Sequence, residues 1–248
     1  MTSPILFVTW RSPKTRAVLP VARIVFHPDR KLYEFAYIRA AEQVGDQGFL
    51  PFLEFPDLRR AYLSDKPFPL LANRLMPQGR PEHVGFLASL GLTPSAHPME
   101  ILARTGGQRA TDQIALFPVP APDATGCYMT HCLVQAIRYM PQPGTEERID
   151  QLRPGEMLFM MWDVQNTVDP KAITLRTADN YLIGYLPAYL AGDAWKLSDG
   201  CGSIQVQVER VNPPPAEVHH RLLVRVTTCW PENFRPYSDE MFQPIAVA

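Results

Sequence analysis

No apolar run in the chain approaches the roughly 18 residues that a membrane-spanning helix requires. The opening MTSPILFVTWRSPK has too short an apolar stretch, and no small-residue cleavage pattern, for a secretory leader. A cytoplasmic location is therefore expected. Cysteine is scarce: four residues, Cys127, Cys132, Cys201 and Cys229, expected to be reduced in that compartment. Cys127, His131 and Cys132, with His219 and His220 downstream, invite a zinc reading. The spacing contains no C-x-x-C pair, and adjacent His131 and Cys132 suit one tetrahedral ion poorly, so no metal or other cofactor is expected. Neighbouring residues on a strand also point to opposite faces, so those two side chains do not make a nucleophile and its base. The chain has no G-x-G-x-x-G, no G-x-x-x-x-G-K-[ST], no G-x-S-x-G and no H-E-x-x-H, the spacings that cradle phosphates, raise a nucleophile or hold a catalytic zinc. No enzymatic activity is expected. Excess charge is missing too: 24 basic and 25 acidic side chains leave a net charge of −1. A protein that grips a long duplex neutralises many phosphates and is clearly basic. A compact site for one nucleotide or one strand end needs only a few donors and stays open.

What is present is a chain of 248 residues, 46% of them apolar, enough to bury one large core or two smaller ones. Proline is frequent, 26 residues. That favours short helices, strands and loops over long helices, because proline breaks helices and removes a donor. Three prolines crowd the stretch FPVPAPDATG at 117–126, which reads as a connection. The expected division is a first domain over 1–120, a proline-rich linker over 121–127 and a second domain over 128–248. The two halves differ in charge. Residues 1–126 hold 14 basic and 11 acidic side chains, net +3; residues 127–248 hold 10 and 14, net −4.

In the first half PILFVTW, LPVARIVFH and LYEFAYI read as strands separated by turns. KPFPLLANRLM, RPEHVGFLASLGL and HPMEILARTGG read as short helices, the last two with proline at the first turn and glycine at the end. An α+β domain follows, a small antiparallel sheet plus short helices. In the second half CLVQAIRYM, EMLFMMWDV, AITLRTA, YLIGYLP, SIQVQVERV and HRLLVRVTT are strand candidates, with helices at TEERIDQL and AYLAGDAWKL. Short strands with few helices imply a small barrel or sandwich.

The run VQNTVDPKAITL at 164–175 concentrates polar groups ahead of an apolar strand. Asn-Thr and Asp-Pro form turns. Gln165 and Asn166 offer both donors and acceptors, Asp169 can accept backbone N–H groups, and Lys171 adds a positive charge. A structural turn and a binding rim both fit these residues.

Asn166, Asp169, Ala172, Ile173, then Gly184-Tyr185-Leu186-Pro187, with Arg138–Tyr139 and RPGEML upstream, stand in the order and spacing of the HIRAN domain. Residues 128–205 resemble that family. The resemblance implies a small β-barrel similar to OB folds and, by analogy with a DNA-binding member, a pocket for the free 3′ end of single-stranded DNA. On that basis Arg138 meets phosphate, Tyr139 flanks a base, and Gln165, Asn166, Asp169, Lys171 and Tyr185 belong to the site. Arg138 and Tyr139 fall where the family has its first strand. Val168 stands where the DNA-binding member has a stacking aromatic, and Met140 where a second ring would help.

Phe68, Leu75, Met76, Pro77, Gly79, Ile101, Leu102, Gly106, Gly107 and Phe117 give residues 5–120 a resemblance to the N-terminal subdomain of HipA-type serine/threonine kinases. Gln78 and Gln108 depart from it, where acids are common. No kinase core follows. Together the two resemblances imply a non-catalytic, antitoxin-like partner of a HipA-like kinase or related toxin chain. It would dock through its first half and bind single-stranded DNA through its second. A purely protein-interacting antitoxin, whose barrel no longer binds DNA, is the alternative.

Overall fold

The computed structural model describes residues 4–109, 111–200 and 203–247. It divides into two units. The first comprises 1–83, 95–119 and 235–248, the second 84–94 and 120–234. The proline-rich stretch falls at a change of unit. The C-terminal 235–248 segment groups with the first unit, and the 84–94 segment with the second.

The first unit is built on five antiparallel strands: β1 (Ile5–Arg11), β2 (Val18–His27), β3 (Leu32–Tyr37), β4 (Tyr62–Ser64) and β5 (Ile114–Pro118), in the order β4-β3-β2-β1-β5. Between β3 and β5 in sequence lie the short helices α1 (Ala40–Gln43), α2 (Pro69–Ala72), α3 (His83–Ser89) and α4 (Pro98–Thr105), of which α3 belongs, past its first residue, to the second unit. Leu6, Val8, Ile24, Phe35 and Tyr37 line one core, against Leu71 of α2 and Met99 and Leu102 of α4. The antiparallel sheet with short helices is the architecture expected for this half. The ends of α4 follow its sequence signals. His97 caps it, its ring nitrogen accepting the Met99 amide at 3.2 Å, and Gly106 closes it in the left-handed region with its amide on Leu102 O. Gly107 is held by proximity: a Cβ there would lie 2.8 Å from Leu116 Cδ1 and 3.2 Å from Arg74 Cδ. The buried Arg74 guanidinium donates to Gly107 O at 2.9 Å and to Asp112 at 2.7 Å. Gly107, Leu102 and Phe68, among the residues behind the HipA-like resemblance, therefore have a packing role of their own.

The second unit is mostly β. Its strands β6 (Cys127–Leu133), β7 (Met157–Trp162), β8 (Ile173–Arg176), β9 (Leu182–Tyr185), β10 (Gln205–Val211) and β11 (Leu222–Cys229) form one sheet in the order β6-β11-β10-β7-β8-β9. Its neighbouring strands pair antiparallel. The two ends of the sheet meet. Gln135, two residues past β6, exchanges both backbone hydrogen bonds with Tyr185 at the end of β9, at 2.8 and 2.9 Å. The sheet thereby curls back on itself. Helices α5 (Thr145–Asp150) and α6 (Ala188–Gly200) complete the unit. Leu190, Ala191, Ala194 and Leu197 of α6 enter the core with Val206, Val224, Ile173 and Ile183 from the strands.

Gly184 makes the closure possible. Its φ is +143°, and a Cβ would lie 2.5 Å from Val134 Cγ1 and 2.6 Å from Gln135 O, so only glycine lets β9 approach the 134–135 backbone. The Gly-Tyr-Leu-Pro signal is thus the closing seam of the sheet. The strand expected over 132–140 is corrected. β6 runs earlier, Cys127–Leu133, and after the Gln135 bridge the chain turns at Ala136, whose φ is +59°, into a 3₁₀ turn at Ile137–Tyr139. The apolar–polar alternation of CLVQAIRYM carries no mark of that left-handed residue.

Cys127 and Cys132 are in no disulfide, whereas Cys229 is disulfide-bonded, against the expectation that all four are reduced. Cys201 lies outside the described residues. Among the described residues no helix is long and apolar enough to cross a membrane.

Candidate functional site

Trp162 pairs with Ile173 at the base of the β7–β8 hairpin, and residues 163–172 form its loop. The loop is organised by its own side chains. Asp163 accepts the Asn166 side-chain amide at 3.0 Å and the Tyr185 hydroxyl at 2.8 Å. Asn166 Oδ1 in turn accepts the amides of Val168 and Asp169 at 2.9 and 3.0 Å. Asp169 Oδ1 accepts the Lys171 amide at 2.9 Å. These are the side-chain-to-backbone turns that Asn and Asp favour. The hydrogen bonds from Asn166 and then Tyr185 hold the Asp163 carboxyl below its usual range. Burial, then Asp163, pushes the Tyr185 phenol upward. Tyr185 is therefore a linker: its backbone closes the sheet on Gln135 and its hydroxyl anchors the loop through Asp163.

That double role brings the two sequence-predicted segments together. The Ile137–Tyr139 turn starts two residues after Gln135. The loop hangs from the same Tyr185. Arg138 and Tyr139 project from the turn into solvent, Tyr139 being 79% exposed. Gln165 and Lys171 are exposed, while Asn166 and Asp169 are half-buried. Asn166 spends its carbonyl on the loop, so the groups best placed to meet a ligand are Arg138, Tyr139, Gln165, Lys171 and the second Asp169 oxygen, which has no hydrogen bond among the described residues. Val168 is 93% exposed at the loop and offers a base no ring to stack on.

Two further elements went unread in the sequence. Asp163 looked like the end of a strand, yet it is the hub of the loop. Trp162 and Trp195 lie with ring centroids 4.0 Å apart, and the Trp195 indole N–H donates to Lys171 O at 3.2 Å. The loop is thus held at both feet, by Tyr185 through Asp163 and by Trp195 through Lys171. The sequence signalled it only by a tryptophan at the end of an apolar strand.

The residues of the zinc reading do not converge. Cys132 is buried in the core, and His131 faces Glu209 at 3.7 Å. Among the described residues no group of three or more His, Cys, Asp or Glu is arranged to hold a metal ion. A buried carboxylate sits elsewhere in this unit. Asp193 of α6 is 4% exposed and accepts the Tyr128 hydroxyl at 3.3 Å; burial raises its pKa to about 6.

Comparison with known proteins bears on this unit. Residues 128–229 match the family model described as HIRAN domain. No curated protein matches the chain. Two solved structures resemble it. One is the HIRAN domain of human HLTF, 20% identical over 42% of this chain and 74% of that one, with a TM-score of 0.30. The other is a protein from Lactobacillus plantarum, 18% identical over 42% of this chain and 97% of that one, with a TM-score of 0.32. The segment that matches the HIRAN domain, residues 128–229, contains the Arg138–Tyr139 turn, the 163–172 loop and the glycine-closed seam that joins them.

Proposed function

We propose that the second unit binds single-stranded DNA, with preference for a free 3′ end, and that the protein acts as a non-catalytic accessory of a HipA-type kinase module. The observation that carries the DNA reading is the coupling of an exposed Arg–Tyr turn to a preorganised polar loop through Tyr185, within a segment that matches the HIRAN domain. In this reading Arg138 pairs with a backbone phosphate, Tyr139 stacks on a base, Gln165 and Lys171 reach the terminal nucleotide, and Asp169 accepts the 3′-hydroxyl. The loop's hydrogen bonds hold these groups in place before a ligand arrives, which lowers the ordering cost of binding. The small number of cations fits one strand end and not a long duplex.

Fluorescence anisotropy with single strands bearing free or blocked 3′ ends tests it. Arg138→Ala and Asp169→Ala should each weaken binding of the free end, and Asp169→Ala should erase the preference over the blocked end. Equally weak, millimolar binding of both strands by the wild-type protein would sink the reading.

Docking on a HipA-like kinase is proposed for the first unit. It rests on the sequence resemblance over residues 5–120, with Leu50, Leu53 and Leu63 as exposed apolar side chains available for a contact. Co-purification with a HipA-type kinase encoded beside this protein is the test; failure to associate removes that half. Two observations favour the alternative, an antitoxin that contacts only protein: Val168 carries no ring and the second half is net acidic.

A further inference from the structure

We propose that the Trp162–Trp195 pair, with Lys171 and Lys196, is a stacking subsite for a base of the strand held by the 163–172 loop. The inference rests on the single-strand reading above and deepens it. The parity of β7 places Leu158 in the core and Met160 against it. Two residues on, the same parity carries Trp162 past the end of the core, where it meets Trp195 of α6 instead of the barrel interior. Trp162 remains 36% exposed, which leaves part of its ring surface accessible to a ligand.

Three features give that ligand a chemistry. The pair is joined to the loop through the Trp195 N–H on Lys171 O, so it sits against the segment that carries the groups assigned to the strand end. Lys171 and Lys196 are both exposed and flank Trp195, one across that hydrogen bond and one in sequence. The acids of the same two elements are held by local contacts: Asp169 accepts the Lys171 amide through Oδ1 alone, and Asp193 of α6 is buried and accepts the Tyr128 hydroxyl. A partly exposed indole pair with two exposed lysines beside it, one by the Trp195 hydrogen bond and one in the chain, suits a base and its adjoining phosphates, because stacking tolerates any base and lysines can meet the backbone. The pair also supplies, at the foot of the loop, the ring that Val168 lacks at its tip.

The experiment uses the intact protein and a fluorescein-labelled oligothymidylate, one version with a free 3′-hydroxyl and one blocked by a 3′-phosphate. Trp162→Ala should weaken binding of both by about five- to 150-fold, the range expected for one lost stack. It should leave the preference for the free end unchanged, since the end-reading groups are intact. Unaltered affinity of Trp162→Ala, with the wild-type protein binding, overturns the subsite and spares the strand-end reading. Failure of the wild-type protein to bind either strand overturns both. Irradiation of the wild-type complex with a bromodeoxyuridine-substituted strand gives a readout that needs no variant. Adducts on Trp162 or Trp195 support the subsite, and adducts confined to other residues overturn it.

Discussion

Replacing Gly184 by alanine probes the closure of the second unit at a single point. Two costs add. The first is conformational: φ at Gly184 is +143°, a region that side chains avoid, at roughly 1 kcal/mol. The second is steric. The new methyl would lie 2.5 Å from Val134 Cγ1 and 2.6 Å from Gln135 O. Val134 is fully buried and Gln135 O accepts the Tyr185 amide, so neither can yield without opening the seam. Overpacking of this kind costs about 1–3 kcal/mol. The sum, about 2–4 kcal/mol, is a large share of a typical domain's 5–15 kcal/mol. Gly155 supplies the control. Its φ is +87° and no atom lies within 4 Å of its would-be Cβ, so Gly155→Ala should show the conformational cost alone, roughly 1 kcal/mol. Urea unfolding followed by tryptophan fluorescence measures both. The difference between the variants isolates the contact at the seam. Equal destabilisation would refute the closure drawn here, because it would mean that the 134–135 backbone is not where a Gly184 methyl must go.

Asp193→Asn should stabilise the protein at neutral pH. The folded carboxyl titrates at about 6 against an ordinary value of 3.8, so the folded state keeps its proton where the unfolded chain has lost it. Stability falls as pH rises from about 4 to about 6 and stays lowered above that, by an amount on the order of 3 kcal/mol. The amide removes this penalty, and unfolding curves at pH 4 and pH 7 should converge; an unchanged gap between them argues against a buried carboxylate. Tyr185→Phe deletes the hydroxyl that Asp163 accepts. The Asp163 carboxyl should then titrate closer to its ordinary value, observable by NMR, while the sheet stays closed through the Tyr185 backbone. If the loop matters for binding, the same variant weakens retention of a free 3′ end without abolishing folding.

How much was legible beforehand differs from element to element. The period-2 patterns of SIQVQVERV and HRLLVRVTT, and the proline and glycine bounds of HPMEILARTGG, specify β10, β11 and α4 because the signals are local: alternation against one core, a cap at each end. The polar loop was also legible, since Asn and Asp two or three residues from the amides they accept form turns wherever they occur. The turn at 137–139 was not. A single residue in the left-handed region, Ala136, ends the strand early, and nothing in its side chain announces it. Nor could spacing in the chain bring Trp195 to Lys171, 24 residues away, or Tyr185 to Asp163, 22 residues away. The sequence by itself determined which short segments are strands and turns, and which groups can accept, donate or stack. Only the tertiary structure decided that Gly184 lets β9 touch the backbone at 134–135, hanging an exposed Arg–Tyr turn and a polar loop from one tyrosine. Such a contact depends on closing a sheet across dozens of residues, and local propensity carries no information about what lies on the far side of the seam.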